Sequence, residues 1–238
     1  MFATHQSAIA TFVAVGTPEW TKRAAAVVFG ACSTIKQPTF QVQGELDKVV
    51  ALGTAAKSLN FAARKLCYFG ILRGEHIAPL ERAAAAMALP VPAVDLAHVY
   101  LTDLPGIGLA KAGFILQMIW GRGGCIDSEN QKLYSAKLGF DVVAGTIAKD
   151  ASHETKLATV RQYQSLVDVC SGGGATGSAT MWDAWCAYIA AKKVAQITTA
   201  KKSSWTGPLP TADDVSALHT AWIATAYNAL WRTGPVTV

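Results

Sequence analysis

Between Leu104 and Asp127 the chain reads LPGIGLAKAGFILQMIWGRGGCID. Leu104-Pro105-Gly106-Ile107-Gly108 contains two glycines that allow a tight reversal, and the apolar segment 109–120 starts a helix at once. With a helical stretch over 93–102 before it, this pattern predicts a helix-hairpin-helix turn. The free backbone amides and positive dipole end of the second helix then face outward, where a nucleic-acid phosphate docks without any side chain. Asp127 stands 23 positions after the leading leucine. A hairpin alone implies DNA binding, whereas a placed carboxylate implies chemistry on DNA.

The rest of the chain has to supply a scaffold for that segment. Its 238 residues can bury a sizeable core, as one unit of two lobes or as two small domains. Apolar residues make up 51% and charged residues 16%. Alanine occurs in blocks such as 83–86, and alternating Val, Ile and Thr runs are scarce, which predicts an all-α protein. A net charge of +5 favours a polyanionic partner. The basic pairs (Lys22-Arg23, Arg64-Lys65, Lys192-Lys193, Lys201-Lys202) are spread out, and each singly reads as a solvated helix face.

The five cysteines Cys32, Cys67, Cys125, Cys170 and Cys186 include no C-x-x-C pair, which argues against a zinc site or an iron–sulfur cluster and for buried, reduced thiols. The apolar run 8–15 follows no lysine or arginine, and no stretch has membrane length, so a soluble cytoplasmic protein is expected.

Thr17-Pro18-Glu19-Trp20 is a helix start, with a capping hydroxyl, proline in the first turn and then an acid. Helices are expected over about 3–15, 18–32, 44–52, 55–69 and up to 88, where Pro90-Val91-Pro92 intervenes. Asp127 is the natural N-cap of a helix over 128–138. Another helix covers about 153–170, a glycine-rich loop 171–178, and further helices 180–195 and 212–231. His76, His98, His153 and His219 lack ligand spacing and read as ordinary surface or core residues. Trp182 and Trp185, three apart on a helix, read as core.

The segment from Leu104 to Asp127, extended to Leu133, resembles the helix-hairpin-helix DNA glycosylase superfamily, whose signature is L-P-G-[VI]-G, a helix, a loop and an aspartate opening the next helix. Motif similarity covers some 30 residues, and the order of helices extends a weaker likeness over most of the chain. The resemblance implies an all-α, two-lobed glycosylase-like fold, with a central lobe over 40–140 and a second lobe from 1–39 plus 141–238. It implies double-stranded DNA as partner, with a nucleotide flipped into a cleft between the lobes. Gly106, Ile107 and Gly108 become DNA-backbone contacts, Lys111 a phosphate partner and Asp127 the catalytic carboxylate. A monovalent cation on the hairpin carbonyls is the one ion it suggests, and no other cofactor is required. A monomer is the default for such a base flipper.

The departures narrow the chemistry. Where lyase members carry a nucleophilic lysine this chain has Ala110, and Lys111 is one step round the helix, ~100° away. The cluster cysteines are absent, and the usual D-T-H-[VI] is Asp127-Ser128-Glu129-Asn130. The chain looks most like the phage glycosylase-like proteins of thymidine hypermodification, which would place it in an infected bacterial host. That branch is implied to transfer an amino acid, with glycine favoured, onto 5-phosphomethyl-deoxyuridine with loss of phosphate.

Asp127 would take a proton from the amino-acid ammonium while Glu129 or Asn130 orients the amine. Arg64, Lys65, Arg73 and Arg122 are the candidates for holding phosphate or the amino-acid carboxylate. The alternatives are a monofunctional glycosylase and a non-catalytic DNA-binding protein. The plainest reading of Asp127 is a helix cap worth ~1 kcal/mol.

Overall fold

A computed structural model of the protein describes residues 15–33, 68–138, 147–174, 176–182, 184, 185 and 188. Among these residues every regular element is a helix, and the described part of the chain is all-α. The expected helices over 3–15, 44–52 and 212–231 and most of that over 55–69 lie outside the described residues. So do the lobe boundaries near 40 and 140.

Helix α1 (Pro18–Ser33) begins as its sequence requires. The Thr17 hydroxyl accepts a hydrogen bond from the Trp20 amide at 3.2 Å, and Glu19 pairs with Arg23 one turn on. Helices α2 (Ile77–Met87) and α3 (Val94–Leu101) pack on each other across the Pro90-Val91-Pro92 break. Helix α4 (Leu109–Trp120) is apolar on nearly every face and buries Ala112, Ile115, Leu116 and Ile119. A helix of that kind belongs at the centre, and α4 packs against both α1 and α3. Gly121 ends it in the left-handed conformation at φ 63°.

The expected helix over 128–138 is two pieces, α5 (Ser128–Leu133) and α6 (Ser135–Leu138). Tyr134 leaves helical geometry between them while its ring is buried in a core with Val160, Tyr163 and Val167 of α7 (His153–Ser171). The break turns α6 onto α7, where Lys137 Nζ donates to the Cys170 carbonyl at 3.3 Å. Tertiary burial of one aromatic ring has overridden local helix propensity here.

The glycine-rich connection is also shorter than expected. Gly172, Gly173 and Gly174 all take positive φ, and helical structure resumes at 177. Ser178 is buried, and its carbonyl accepts from Gln117 Nε2 at 2.7 Å. That bond ties the next helical segment to α4.

Candidate functional site

The hairpin lies between α3 and α4. Leu104 and Ile107 are fully buried and pin it to the core, while the Ile107 amide closes the turn on the Leu104 carbonyl at 3.2 Å. Gly106 sits at φ 72°, where an L side chain is strained. Gly108 is extended (φ −112°) and needs no glycine for its backbone, yet a Cβ there would meet nothing within 4 Å. Its outer side is open, as a backbone-to-backbone contact requires. The first amides of α4, which follow it, have no carbonyl partner within the helix. Lys111 Nζ folds back onto the Gly106 carbonyl at 2.9 Å, which brings its charge to the turn.

Behind the hairpin stands a residue the sequence did not single out. Lys149 Nζ donates to the carbonyls of Thr102 (3.0 Å), Leu104 (2.8 Å) and Ile107 (2.9 Å). The neighbouring Asp103 carboxylate accepts from Lys156 (2.8 Å), His153 (2.9 Å) and Arg82 (3.1 Å). Burial alone would raise the Asp103 pKa. Hydrogen bonds and charge from Lys156 and His153 outweigh it and hold the carboxyl below its ordinary value.

The second half of the site is the loop that delivers Asp127. Gly113 lets the Gly124 carbonyl come against α4, where a Cβ would collide with that oxygen. The buried Tyr163 hydroxyl then grips the loop twice, donating to the Gly124 carbonyl at 3.1 Å and accepting from the Ile126 amide at 2.6 Å. His98 stands edge-on to Tyr163, with ring centroids 5.1 Å apart. Its Nε2 is 2.9 Å from the Leu109 carbonyl and its Nδ1 is 2.7 Å from Gln164 Nε2. Burial pushes the His98 pKa down to about 4, against a small opposing effect of the Leu109 bond. The imidazole is therefore neutral at pH 7, with Nε2 donating and Nδ1 accepting.

Asp127 caps α5, its Oδ1 accepting from the amides of Glu129 (3.1 Å) and Asn130 (2.8 Å). Its pKa is nevertheless raised. Desolvation is the largest cause, and the nearby Glu129 charge adds to it, whereas the two amides and the Asn130 side chain oppose it. Among the described residues no lysine or arginine forms an ion pair with Asp127.

The carboxyl lines a narrow cleft with Asn130, Gln117, Phe114, Trp182 and Trp185. Trp182 and Trp185 stack at 5.3 Å, and Phe114 meets Trp182 edge-on at 5.9 Å, forming an aromatic wall. The cleft has room for about one water. Asn130 is buried, and its Oδ1 has no hydrogen-bond partner. Cys125 also borders the cleft, but burial and the Asp127 charge push its thiol well up, so it is no ready nucleophile.

Of the residues expected from sequence, Asp127 and Asn130 meet in this cleft. Glu129 lies on the same helix but pairs with Lys132 at 3.1 Å and does not line it. Arg73 pairs with Glu75 at 2.8 Å, and Arg122 stands in the loop after α4; neither lines the cleft. Arg64 and Lys65 lie outside the described residues. Trp182 and Trp185, read as core, wall the cleft as well as packing on the core.

Lys149 and Tyr163 went unread because each acts on backbone groups far away in sequence, whereas His98, read as an ordinary surface or core histidine, is a buried core residue. The glycines at 113 and 124 were the one visible trace of the close approach. Among the described residues no group of three or more His, Cys, Asp or Glu side chains is placed to hold a metal ion. No helix among them is long and apolar enough to cross a membrane. No protein-family model, curated protein or solved structure matches the chain.

Proposed function

We propose that the protein is a DNA base-modifying enzyme, in which the 104–108 hairpin holds the DNA backbone and a flipped pyrimidine enters the Asp127 cleft. The reaction we assign is transfer of an amino acid, glycine foremost, onto 5-phosphomethyl-deoxyuridine in duplex DNA. The observation that carries this reading is the state of Asp127. It is a desolvated carboxyl with raised proton affinity, no lysine or arginine partner among the described residues, and an aromatic wall beside it. A carboxylate shifted toward neutral pH accepts a proton from an ammonium more readily than an ordinary surface aspartate does.

The steps balance without an oxidant or reductant. Asp127 takes a proton from the amino-acid ammonium, the freed lone pair forms a C–N bond at the uracil 5-methylene carbon, and the C–O bond to phosphate breaks. The phosphate leaves with that electron pair and takes up the proton that Asp127 gained, which restores the carboxylate, and the surplus proton on the new secondary amine passes to solvent. The unpartnered Asn130 Oδ1 suits it to accept from the incoming amine or from the N3–H of the base. Because the cleft has room for about one water, base entry requires the side chains of its wall to part. Tryptophan fluorescence on DNA binding reads that movement.

The test is to incubate the protein with duplexes containing thymine, 5-hydroxymethyluracil or 5-phosphomethyluracil, with and without glycine, and to weigh the nucleosides. Addition of glycine to the 5-phosphomethyl substrate alone is the expected result. Free base or abasic sites would instead identify a monofunctional glycosylase. Salt-sensitive binding with no mass change would leave a non-catalytic DNA-binding protein.

A further inference from the structure

The hairpin is built around a positive charge. Thr102, Leu104 and Ile107 turn three carbonyl oxygens to one point, and Lys149 Nζ is there, at 2.8 to 3.0 Å from each. An ammonium has three donors and no acceptor, so it can offer one donor to each of the three carbonyls. Converging carbonyl oxygens also replace the hydration shell of a dissolved monovalent cation. The two occupants compete for one seat, because a second cation on the same oxygens would lie against the ammonium. A hairpin cation, as the resemblance suggests, does not fit this chain while Lys149 is in place.

We infer that Lys149 is a tethered cation that holds the hairpin in its DNA-binding shape, so that this hairpin works without a dissolved metal ion. The side chain comes from the segment before α7 and so fastens that segment to the turn. It also acts electrically. All described peptide bonds are trans, so the Gly108 amide points away from the Ile107 carbonyl of the same peptide plane. That carbonyl faces Lys149, and the Gly108 N–H therefore faces outward, polarised by the charge behind it. Lys149 is thus a positioning residue: it touches no DNA and acts through the backbone that does.

This inference rests on the proposed DNA-binding role of the hairpin only for its effect on affinity. The seat itself is testable without DNA. Measure Tm and plain-duplex Kd for the full-length wild type, Lys149→Ala and Lys149→Met in KCl, NaCl, LiCl and choline chloride at one ionic strength. Wild-type Tm and Kd should not depend on which cation is present. Lys149→Ala opens the seat, so its Tm in choline should fall by several degrees and recover saturably with K⁺, and its duplex affinity should drop at least tenfold and recover in parallel. Lys149→Met fills the space without charge, so it should be weakened and show no K⁺ rescue.

A wild type whose Tm rises specifically with K⁺ overturns the inference, whether or not either variant folds. So does a folded Lys149→Ala with wild-type Tm in every salt. If K⁺ rescues the Tm of Lys149→Ala while the wild type binds no DNA, the seat stands and the DNA-binding role fails.

Discussion

The hydroxyl oxygen of Tyr163 lies 2.6 Å from the amide nitrogen of Ile126, the residue before Asp127. The same hydroxyl reaches the Gly124 carbonyl, so one buried side chain on α7 holds both ends of the turn that sets the carboxylate in the cleft. Removing it by Tyr163→Phe keeps the ring and leaves two buried backbone groups unsatisfied. The expected cost is about 1–3 kcal/mol per unsatisfied group, partly relieved by entering water. Urea unfolding measures this. A Tyr163→Phe protein as stable as the wild type would show that the clamp contributes nothing.

Gly113 and Gly108 lie five residues apart and should respond oppositely to alanine. At Gly113 the new Cβ meets the Gly124 backbone carbonyl, which cannot swing aside as a flexible side chain would. Overpacking of this kind costs about 1–3 kcal/mol, more than the ~1 kcal/mol that alanine gains over glycine in a helix. Gly113→Ala should therefore lower Tm and displace Asp127, with activity falling alongside. Gly108→Ala faces open space at an ordinary φ, so its Tm should stay within about 1 °C while duplex affinity falls. Unchanged affinity in a folded Gly108→Ala would remove that position from the DNA contact.

His98 sets a pH dependence whose sign is definite. Its folded pKa of about 4 lies below the ordinary 6.5, so between these values the unfolded chain binds the extra proton and the folded one does not. Its contribution is fully present above pH 6.5 and is lost as pH falls toward 4, by about 3 kcal/mol in total. The depressed Asp103 acts in the same direction lower down, since its contribution is present above 3.8 and lost as pH falls through its folded value. Unfolding free energy measured from pH 7.5 to 4.5 should decline, and His98→Asn should flatten the upper part of that decline. Because the raised Asp127 acts in the opposite direction, the deciding comparison is between the two proteins: a His98→Asn curve that declines as steeply as the wild type's would contradict the buried neutral imidazole.

Local chemistry made much of the scaffold legible. Helix α4 starts and stops where Gly108 and Gly121 say it should, and α1 starts at the Thr17-Pro18 cap. Asp127 was readable as a cap because its partners are two and three residues away. What stayed hidden depends on distant partners. Lys149 meets the hairpin across more than 40 residues, and Tyr163 meets Ile126 across 37. No spacing rule marks such pairs. Tyr134 was hidden for a related reason, because its burial against α7, not its own propensity, splits the helix after Asp127.

The raised pKa of Asp127 means that its ionised form at pH 7 costs the fold stability. That contribution is greatest below 3.8 and is lost as pH rises through the folded value. Asparagine caps a helix about as well as aspartate and carries no charge. The most direct measurement is therefore paired: Tm and single-turnover product formation for Asp127→Asn on the 5-phosphomethyluracil duplex with glycine. A catalytic carboxylate predicts an unchanged or higher Tm, duplex affinity within about threefold of wild type, and turnover lower by about 10²–10⁴. Full turnover in Asp127→Asn, with or without a change in Tm, would reduce Asp127 to a helix cap and contradict the account.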